Sequence, residues 1–247
     1  MKTLYKKPES LNDIVTHYCP GCGHGIVHRL IAEVIDELNI REKTIGVAPV
    51  GCAVLAYNYF NFDVTEAAHG RAPAVATGIK RALPDNFVFS YQGDGDLAAI
   101  GTGEIIHAAN RSENISVVFV NNTVYGMTGG QMAPTTLVGQ KTLTSPGGRS
   151  SCTAGNPVKV CELLAPLEGV KYLYRGAVSS PSKINTVKKA IKQSFEIQLA
   201  GGGFSLVEIL AQCPTYWGMT PCESVKHIET ELVKTFPLGE IKKWKKE

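Results

Sequence analysis

The chain lacks any uninterrupted apolar run near the roughly 20 residues that span a bilayer as a helix, so no membrane segment is expected. Its first residues, Met1-Lys2-Thr3-Leu4-Tyr5-Lys6-Lys7-Pro8, lack the apolar stretch of a signal peptide. Charge imbalance is small. The 25 Lys and Arg against 22 Asp and Glu leave +3, and the basic residues are scattered apart from the tail. Nucleic acid is therefore not an expected partner. Internal repeats and low-complexity tracts are missing too. These absences point to a cytoplasmic protein of ordinary globular composition, 44% hydrophobic over 247 residues. That length suits one large α/β domain, or one domain with an added segment. Cysteine is not scarce: there are seven, an odd number that argues against a disulfide framework in a reducing setting.

The order of elements follows from periodicity. Ile26, Leu30, Val34 and Leu38 share one face of a helix expected over 25–38. Thr44–Val50 reads as a strand and Ala72–Leu83 as a helix, with Pro73 acceptable in its first turn. Strands follow at Phe87–Tyr91 and Ile115–Val120, with a helix from Leu97 to Asn110 between them. From Gly126 to Gly155, Gly, Thr, Ser and Pro dominate, and loops of that length inside a compact domain are usually functional or disordered. Strands at Val170–Tyr174 and Phe204–Leu210 flank a helix that Ser180 caps and Pro181 opens, with Ile184, Val187, Ile191 and Phe195 as its buried stripe. The β-α-β alternation predicts an α/β fold, a parallel sheet with helices on both faces. One domain over residues 1–247 is expected, with a cysteine-motif loop at about 10–24 and an extension at about 214–247. The lysines from Lys242 onward read as a solvated end.

Asp94, in Gly93-Asp94-Gly95-Asp96, and Asn122, closing Asn121-Asn122, each follow the carboxyl end of a strand, one helix apart. In an open parallel sheet that edge is where ligands bind. An Asp and an Asn together there suit Mg²⁺, which prefers a few protein oxygens plus substrate phosphates. The main-chain carbonyl of Val124 is the expected third ligand. The N-terminus of the helix near Leu97 favours negative charge, and Gly95 lets backbone N–H groups face phosphate oxygens. A helix cap and an ordinary turn would use the same residues.

Cys19-Pro20-Gly21-Cys22-Gly23 is a tight C-x-x-C among small residues. It suits a redox dithiol, half a zinc site or part of an iron–sulfur ligand set. Cys52 and Cys213 stand at strand ends, so they could meet that loop as four thiolates near the diphosphate site. Zinc and a [4Fe–4S] cluster both accept four cysteines. Cys152, Cys161 and Cys222 read as buried or partly buried free thiols.

Together these residues resemble the thiamine-diphosphate-binding β subunit of 2-oxoacid:ferredoxin oxidoreductases. The resemblance runs from about residue 10 to 220. It rests on Cys19-Pro20-Gly21-Cys22-Gly23-His24, Gly51-Cys52, His69-Gly70-Arg71-Ala72-Pro73-Ala74-Val75-Ala76-Thr77-Gly78 and Gly93-Asp94-Gly95-Asp96. Tyr125-Gly126-Met127-Thr128-Gly129-Gly130-Gln131 and Cys213-Pro214-Thr215 complete it. It implies a [4Fe–4S] cluster on Cys19, Cys22, Cys52 and Cys213, and Mg²⁺ on Asp94, Asn122 and Val124. It implies cofactor contacts from Gly51, Cys52, Gly95, Asp96, Gly126 and Met127. His69, Gly70 and Arg71 would lie near the reacting centre, His69 and Arg71 being the catalytic candidates. Where many members carry lysine, this chain has Gly129.

The implied reaction is oxidative decarboxylation of a 2-oxoacid with coenzyme A, electrons passing to ferredoxin. The carboxylate needed opposite the aminopyrimidine would come from an α subunit, with a small ferredoxin-like subunit as a further partner. Glu66 and Glu104 are left with structural or secondary roles. The loop Gly126–Thr136 looks more like that of 2-oxoisovalerate or 2-oxoglutarate enzymes than of pyruvate ones. A non-oxidative thiamine enzyme would not need the cysteines, and a metal-binding electron carrier would not need the magnesium pair.

Overall fold

The computed structural model describes residues 6–245. Short apolar runs become strands: β1 (Thr44–Pro49), β2 (Asp63–Ala67), β3 (Phe87–Gly93) and β4 (Ser116–Asn121) come first. Then follow a small hairpin of β5 (Val124–Tyr125) and β6 (Gln131–Met132), then β7 (Val170–Ala177), β8 (Phe204–Leu210) and β9 (Gly239–Lys242). Seven of them form one sheet in the order β2-β1-β3-β4-β8-β7-β9, parallel throughout except β9, which runs antiparallel to β7. β3, β4 and β8 are buried along almost their whole length, which is why they read as apolar runs without alternation.

The helices are α1 (His24–Leu38), α2 (Ala56–Tyr59), α3 (Ala72–Ala82), α4 (Thr102–Asn110) and α5 (Ser151–Ala154). The later ones are α6 (Val160–Leu164), α7 (Pro181–Leu199), α8 (Pro214–Trp217), α9 (Pro221–His227) and α10 (Val233–Thr235). On one sheet face α1 and α7 bury Val27, Leu30, Ile31, Val34, Ile35, Val187, Ile191 and Phe195 against Phe87, Phe89 and Val118. On the other, α3, α4 and α6 cover Val88, Val117, Phe119 and Leu206. Each fully buried aliphatic or Phe side chain contributes about 1.5–3 kcal/mol. Ser180 caps α7 through Lys183 N–H, with Pro181 behind it. No helix of the described residues is long and apolar enough to cross a membrane.

Four expectations change. The segment after β3 is not one helix: it opens as a wide π-type turn, Asp96–Ile100, and becomes α4 only after Gly101. A Cβ at Gly101 would stand 2.9 Å from the carbonyl oxygens of both Asp96 and Gly70, so only glycine lets these backbones approach. The lysine-rich end is not simply solvated. β9 pairs with β7, Lys242 Nζ donates to the carbonyls of Ala165 (3.1 Å) and Leu167 (2.6 Å), and Trp244 packs on the core. The last two residues of that tail lie outside the described residues. The glycine-rich stretch 126–155 is ordered by Arg149, 5% exposed, which donates to the carbonyls of Ala133, Pro134, Thr136, Ala154, Gly155 and Asn156. Finally, Cys161 is buried but Cys152 and Cys222 are exposed, because the short α5 and the outer turn of α9 leave them on the surface.

Candidate functional site

The chain leaves β1 toward β2 on one side and leaves β3 toward β4 on the other. The carboxyl ends of β1 and β3 therefore flank a topological switch point, where open α/β sheets bind ligands. A cavity of about 120 Å³ lies there, lined from β1 by Val50, Gly51, Cys52 and Ala53 and from β3 by Gly93, Asp94, Gly95 and Asp96. His24, His69, Asn122 and the run Val124–Thr128 complete it. A larger surface cleft of about 410 Å³, bounded by Glu9, Asp36, Arg41 and Lys188, holds charges that largely pair with one another.

Asp94 is 2% exposed. Its Oδ1 accepts from Gly95 N–H (2.8 Å) and its Oδ2 from Thr135 Oγ1 (2.5 Å). Burial pushes its carboxyl up to about 7, against the pull of those donors. A cation at this point would reverse that shift. Asp96 accepts from Gly70 N–H (2.5 Å) and Gln92 Nε2 (2.6 Å), and His69 Nδ1 stands 2.8 Å from it. Burial raises its carboxyl too, with those donors opposing. Asn122 Oδ1 accepts from Val124 N–H (3.3 Å), and its main-chain carbonyl accepts from Trp217 Nε1 (3.0 Å). Between them Thr123 takes a left-handed φ of 63°, its carbonyl held by Thr136 Oγ1 at 2.5 Å. Asp94, Asn122 and Val124 thus share the cavity wall.

The glycines of the site also let their neighbours approach closely. The Gly95 N–H is taken up by Asp94, and its missing Cβ makes room for the Tyr125 ring, which would otherwise be 2.3 Å away. A Cβ on Gly126 would lie 3.0 Å from Cys52 Sγ, 3.9 Å from Cys213 Sγ and 4.0 Å from Asn122 Nδ2. Two thiols and a cavity-wall amide therefore converge on the space beside Gly126 that a side chain would fill. Gly70 and Arg71 do not line the cavity: Arg71 occupies the first position before α3 and pairs with Glu104. Neither Glu104 nor Glu66 lines the cavity.

Cys19 and Cys22 share a tight turn, Cys22 N–H donating to Cys19 O at 3.0 Å. Gly23 N–H donates to Gln212 O (3.1 Å), and a Cβ on Gly23 would collide with Ala211 at 2.7 Å. The C-x-x-C loop is thus laid against the segment that carries Cys213. Burial pushes the thiol of Cys22 up to about 11 and those of Cys52 and Cys213 up to about 12, with the neighbouring cysteines adding to each. Such thiols ionise only against a strong positive centre. Among the described residues no three or more His, Cys, Asp or Glu close on a point to hold a single metal ion. Beside the loop, Tyr18 stacks on His24 (4.8 Å between ring centres) and donates to or accepts from His28 Nε2 (2.8 Å).

Fold and site define the class: residues 49–209 match the thiamine pyrophosphate enzyme, C-terminal TPP binding domain, and the chain belongs to that family. Its relatives there are 2-oxoacid oxidoreductase subunits. It is 50% identical over 247 residues to the ketoisovalerate oxidoreductase subunit VorA of Methanothermobacter thermautotrophicus, covering 96% of this chain and 52% of that one. It is 40% identical over 203 residues to the 2-oxoglutarate synthase subunit KorB of Methanocaldococcus jannaschii, covering 81% and 70%. Among solved structures, the 2-oxoglutarate:ferredoxin oxidoreductase from Magnetococcus marinus, with 2-oxoglutarate, coenzyme A and succinyl-CoA bound, matches with a TM-score of 0.79. That match has 26% identity and covers all of this chain and 88% of the other. The chain spans about half the length of the VorA relatives.

Three features escaped the sequence reading: Thr135, Arg149 and the turn geometry of Thr123. All act through hydrogen bonds rather than periodicity. The one available signal was a polar cluster inside an otherwise unpatterned loop.

Proposed function

We propose that this chain is the thiamine-diphosphate-binding subunit of a coenzyme-A-dependent 2-oxoacid:ferredoxin oxidoreductase. The observation that carries it is the meeting of Cys52 Sγ, Cys213 Sγ and Asn122 at Gly126, which joins a diphosphate pocket to a thiol cluster. A decarboxylase would need only the first, an electron carrier only the second. Asp94, Asn122 and the carbonyl of Val124 would hold Mg²⁺, a hard cation for which such oxygens are suited. Cys19, Cys22, Cys52 and Cys213 would hold a [4Fe–4S] cluster, whose irons stabilise thiolates that burial alone disfavours. Thiamine diphosphate, when bound, supplies the electron sink for decarboxylation.

The chain's own residues bind and orient. Asp94 and Asn122 fix the diphosphate end. Met127 and Val50, both partly exposed at the cavity mouth, give it an apolar rim. His69, positioned through Asp96, and Arg71 remain the proposed catalytic candidates, His69 reaching the cavity directly.

A cavity of about 120 Å³ is well below the roughly 300–1,000 Å³ of a complete ligand pocket. A second surface would have to close over the cofactor, and the carboxylate opposite the aminopyrimidine would come with it. An α subunit is the proposed source, with a ferredoxin-like subunit or free ferredoxin taking the electrons. Seven free thiols suit a reducing, cytoplasmic setting. Among the described residues no Lys or Arg lines this half of the pocket, which favours an apolar 2-oxoacid such as 2-oxoisovalerate over the dicarboxylate 2-oxoglutarate as far as this chain contributes. The test is coexpression with neighbouring subunits, then a 2-oxoacid panel with coenzyme A and viologen dye. Coenzyme-A-dependent dye reduction is expected, fastest with the branched substrate. A cofactor-loaded complex that reduces dye with none of the 2-oxoacids, or equally fast without coenzyme A, would overturn the proposal.

A further inference from the structure

Glu208 and Arg175 are fully buried charged residues in adjacent strands, paired directly in register, and neither lines the cavity. Arg175 Nε donates to Glu208 Oε2 (2.8 Å), and its two terminal nitrogens donate to Glu162 Oε1 (2.8 Å) and Oε2 (2.5 Å). A fourth bond goes to the carbonyl of Pro237 (3.2 Å), and the guanidinium lies 5.5 Å from the centre of the Phe236 ring. Charges placed this way seldom add stability over apolar residues of the same volume, so the pair calls for another reason.

The reason lies at the free oxygen of Glu208. Its Oε1 accepts from Asn121 Nδ2 at 2.8 Å, and Asn121 is itself fully buried at the end of β4. An ionised carboxylate only accepts, so Asn121 must turn its NH₂ toward Glu208 and its oxygen the other way. That oxygen receives the N–H of Thr123 at 3.3 Å. Thr123 is the residue whose left-handed φ of 63° separates Asn122 from Val124. The amide orientation of Asn121 is thus set by one charge and handed to the turn between β4 and β5, where the proposed magnesium ligands Asn122 and Val124 stand.

We propose that Asn121, oriented by the Glu208–Arg175 pair, is a positioning residue for the magnesium–diphosphate end of the cofactor. It acts through the Asn122-Thr123-Val124 turn and touches neither cofactor nor substrate. The inference rests on the thiamine diphosphate reading of the cavity and extends it to residues outside it.

The experiment uses the assembled complex stripped of cofactor, titrated calorimetrically with Mg²⁺ at fixed thiamine diphosphate. Asn121→Leu removes both hydrogen bonds at similar volume. Glu208→Gln keeps shape but no longer dictates which way the Asn121 amide points. Each is expected to weaken Mg²⁺-dependent binding about 10- to 100-fold, the range seen when partners of a metal ligand are changed. Turnover at saturating cofactor should recover to near the parent level. Glu162→Gln disturbs Arg175 from its solvent side, so it should lower the melting temperature and leave Mg²⁺ affinity unchanged. If Asn121→Leu fails to assemble, Asn121→Ser replaces it, being too short to reach both Glu208 and Thr123. Parent affinity in the Asn121 and Glu208 variants overturns the proposal, as does an equal loss in Glu162→Gln. Absence of saturable binding in the parent complex would instead overturn the reading of the cavity.

Discussion

Thr135 Oγ1 donates to Asp94 Oδ2 at 2.5 Å, joining a loop residue to a strand-end carboxylate 41 positions earlier in the chain. Both are essentially buried. The hydroxyl satisfies Oδ2 while Gly95 N–H satisfies Oδ1, which together hold the carboxylate at the cavity wall. Replacing Thr135 by Val keeps the shape and removes the donor. Mg²⁺-dependent thiamine diphosphate binding should weaken about 10-fold or more, with little change in melting temperature. Calorimetric titration measures the first and differential scanning the second.

Gly95→Ala should be far more damaging than an added methyl suggests. The new Cβ would lie 2.3 Å from the Tyr125 ring, which borders the cavity beside His69. Tyr125 has to swing away, opening the wall between Asp96 and Met127. Cofactor affinity should fall by at least one order of magnitude, since overpacking of this kind costs about 1–3 kcal/mol. Equilibrium dialysis with thiamine diphosphate checks it. Unchanged affinity would show that the ring yields freely.

Cysteine substitutions separate the two halves of the site. In Cys213→Ser the broad visible absorption of an iron–sulfur cluster should be lost, while Mg²⁺ and thiamine diphosphate still bind, because Asp94 and Asn122 keep their partners. Chelation of iron from the parent protein should give the same pattern. A variant that retains the full chromophore would remove Cys213 from the ligand set.

Acid should weaken the fold before carboxylates titrate. His28 is buried between Tyr18 and Phe60, and burial holds its imidazole well below the usual range, with His24 and His17 opposing charge as well. Its folded pKa is depressed, so it stays neutral while the unfolded chain takes up a proton near pH 6.5. No penalty exists above that pH. As pH falls below it, stability should decline by up to about 1.4 kcal/mol per unit for this one group. Denaturant melts of the parent and His28→Gln, compared between pH 7.5 and 5.5, should show a shallower decline in the variant.

Much of the sheet was legible because its inner strands are continuous apolar runs and its helices carry one apolar stripe. β2 was not, since an edge strand reading Asp63-Val64-Thr65-Glu66-Ala67 buries only its last residue. β9 was hidden because its four residues are at most half-buried and gain their place by pairing with β7. The strand-end residues Asp94, Asn122, Cys52 and Cys213 were readable from position alone. What supports them was not. Periodicity carries no signal for a hydroxyl such as Thr135, and nothing local says that Arg149 will gather six carbonyls from its own loop. Glu208 within Phe204–Leu210 was the one visible anomaly, a charge in an otherwise apolar strand.

The indole of Trp217, hydrogen-bonded to the carbonyl of Asn122, makes the site observable without a label. The chain has two tryptophans, and the other, Trp244, packs on the helix-covered core far along the sheet from this turn. Any movement of Asn122 alters the polarity around Trp217, so its emission serves as an optical gauge of the turn. In a Trp244→Phe background, filling and emptying of the cofactor pocket can be followed in real time as a change in colour and intensity of one residue's fluorescence.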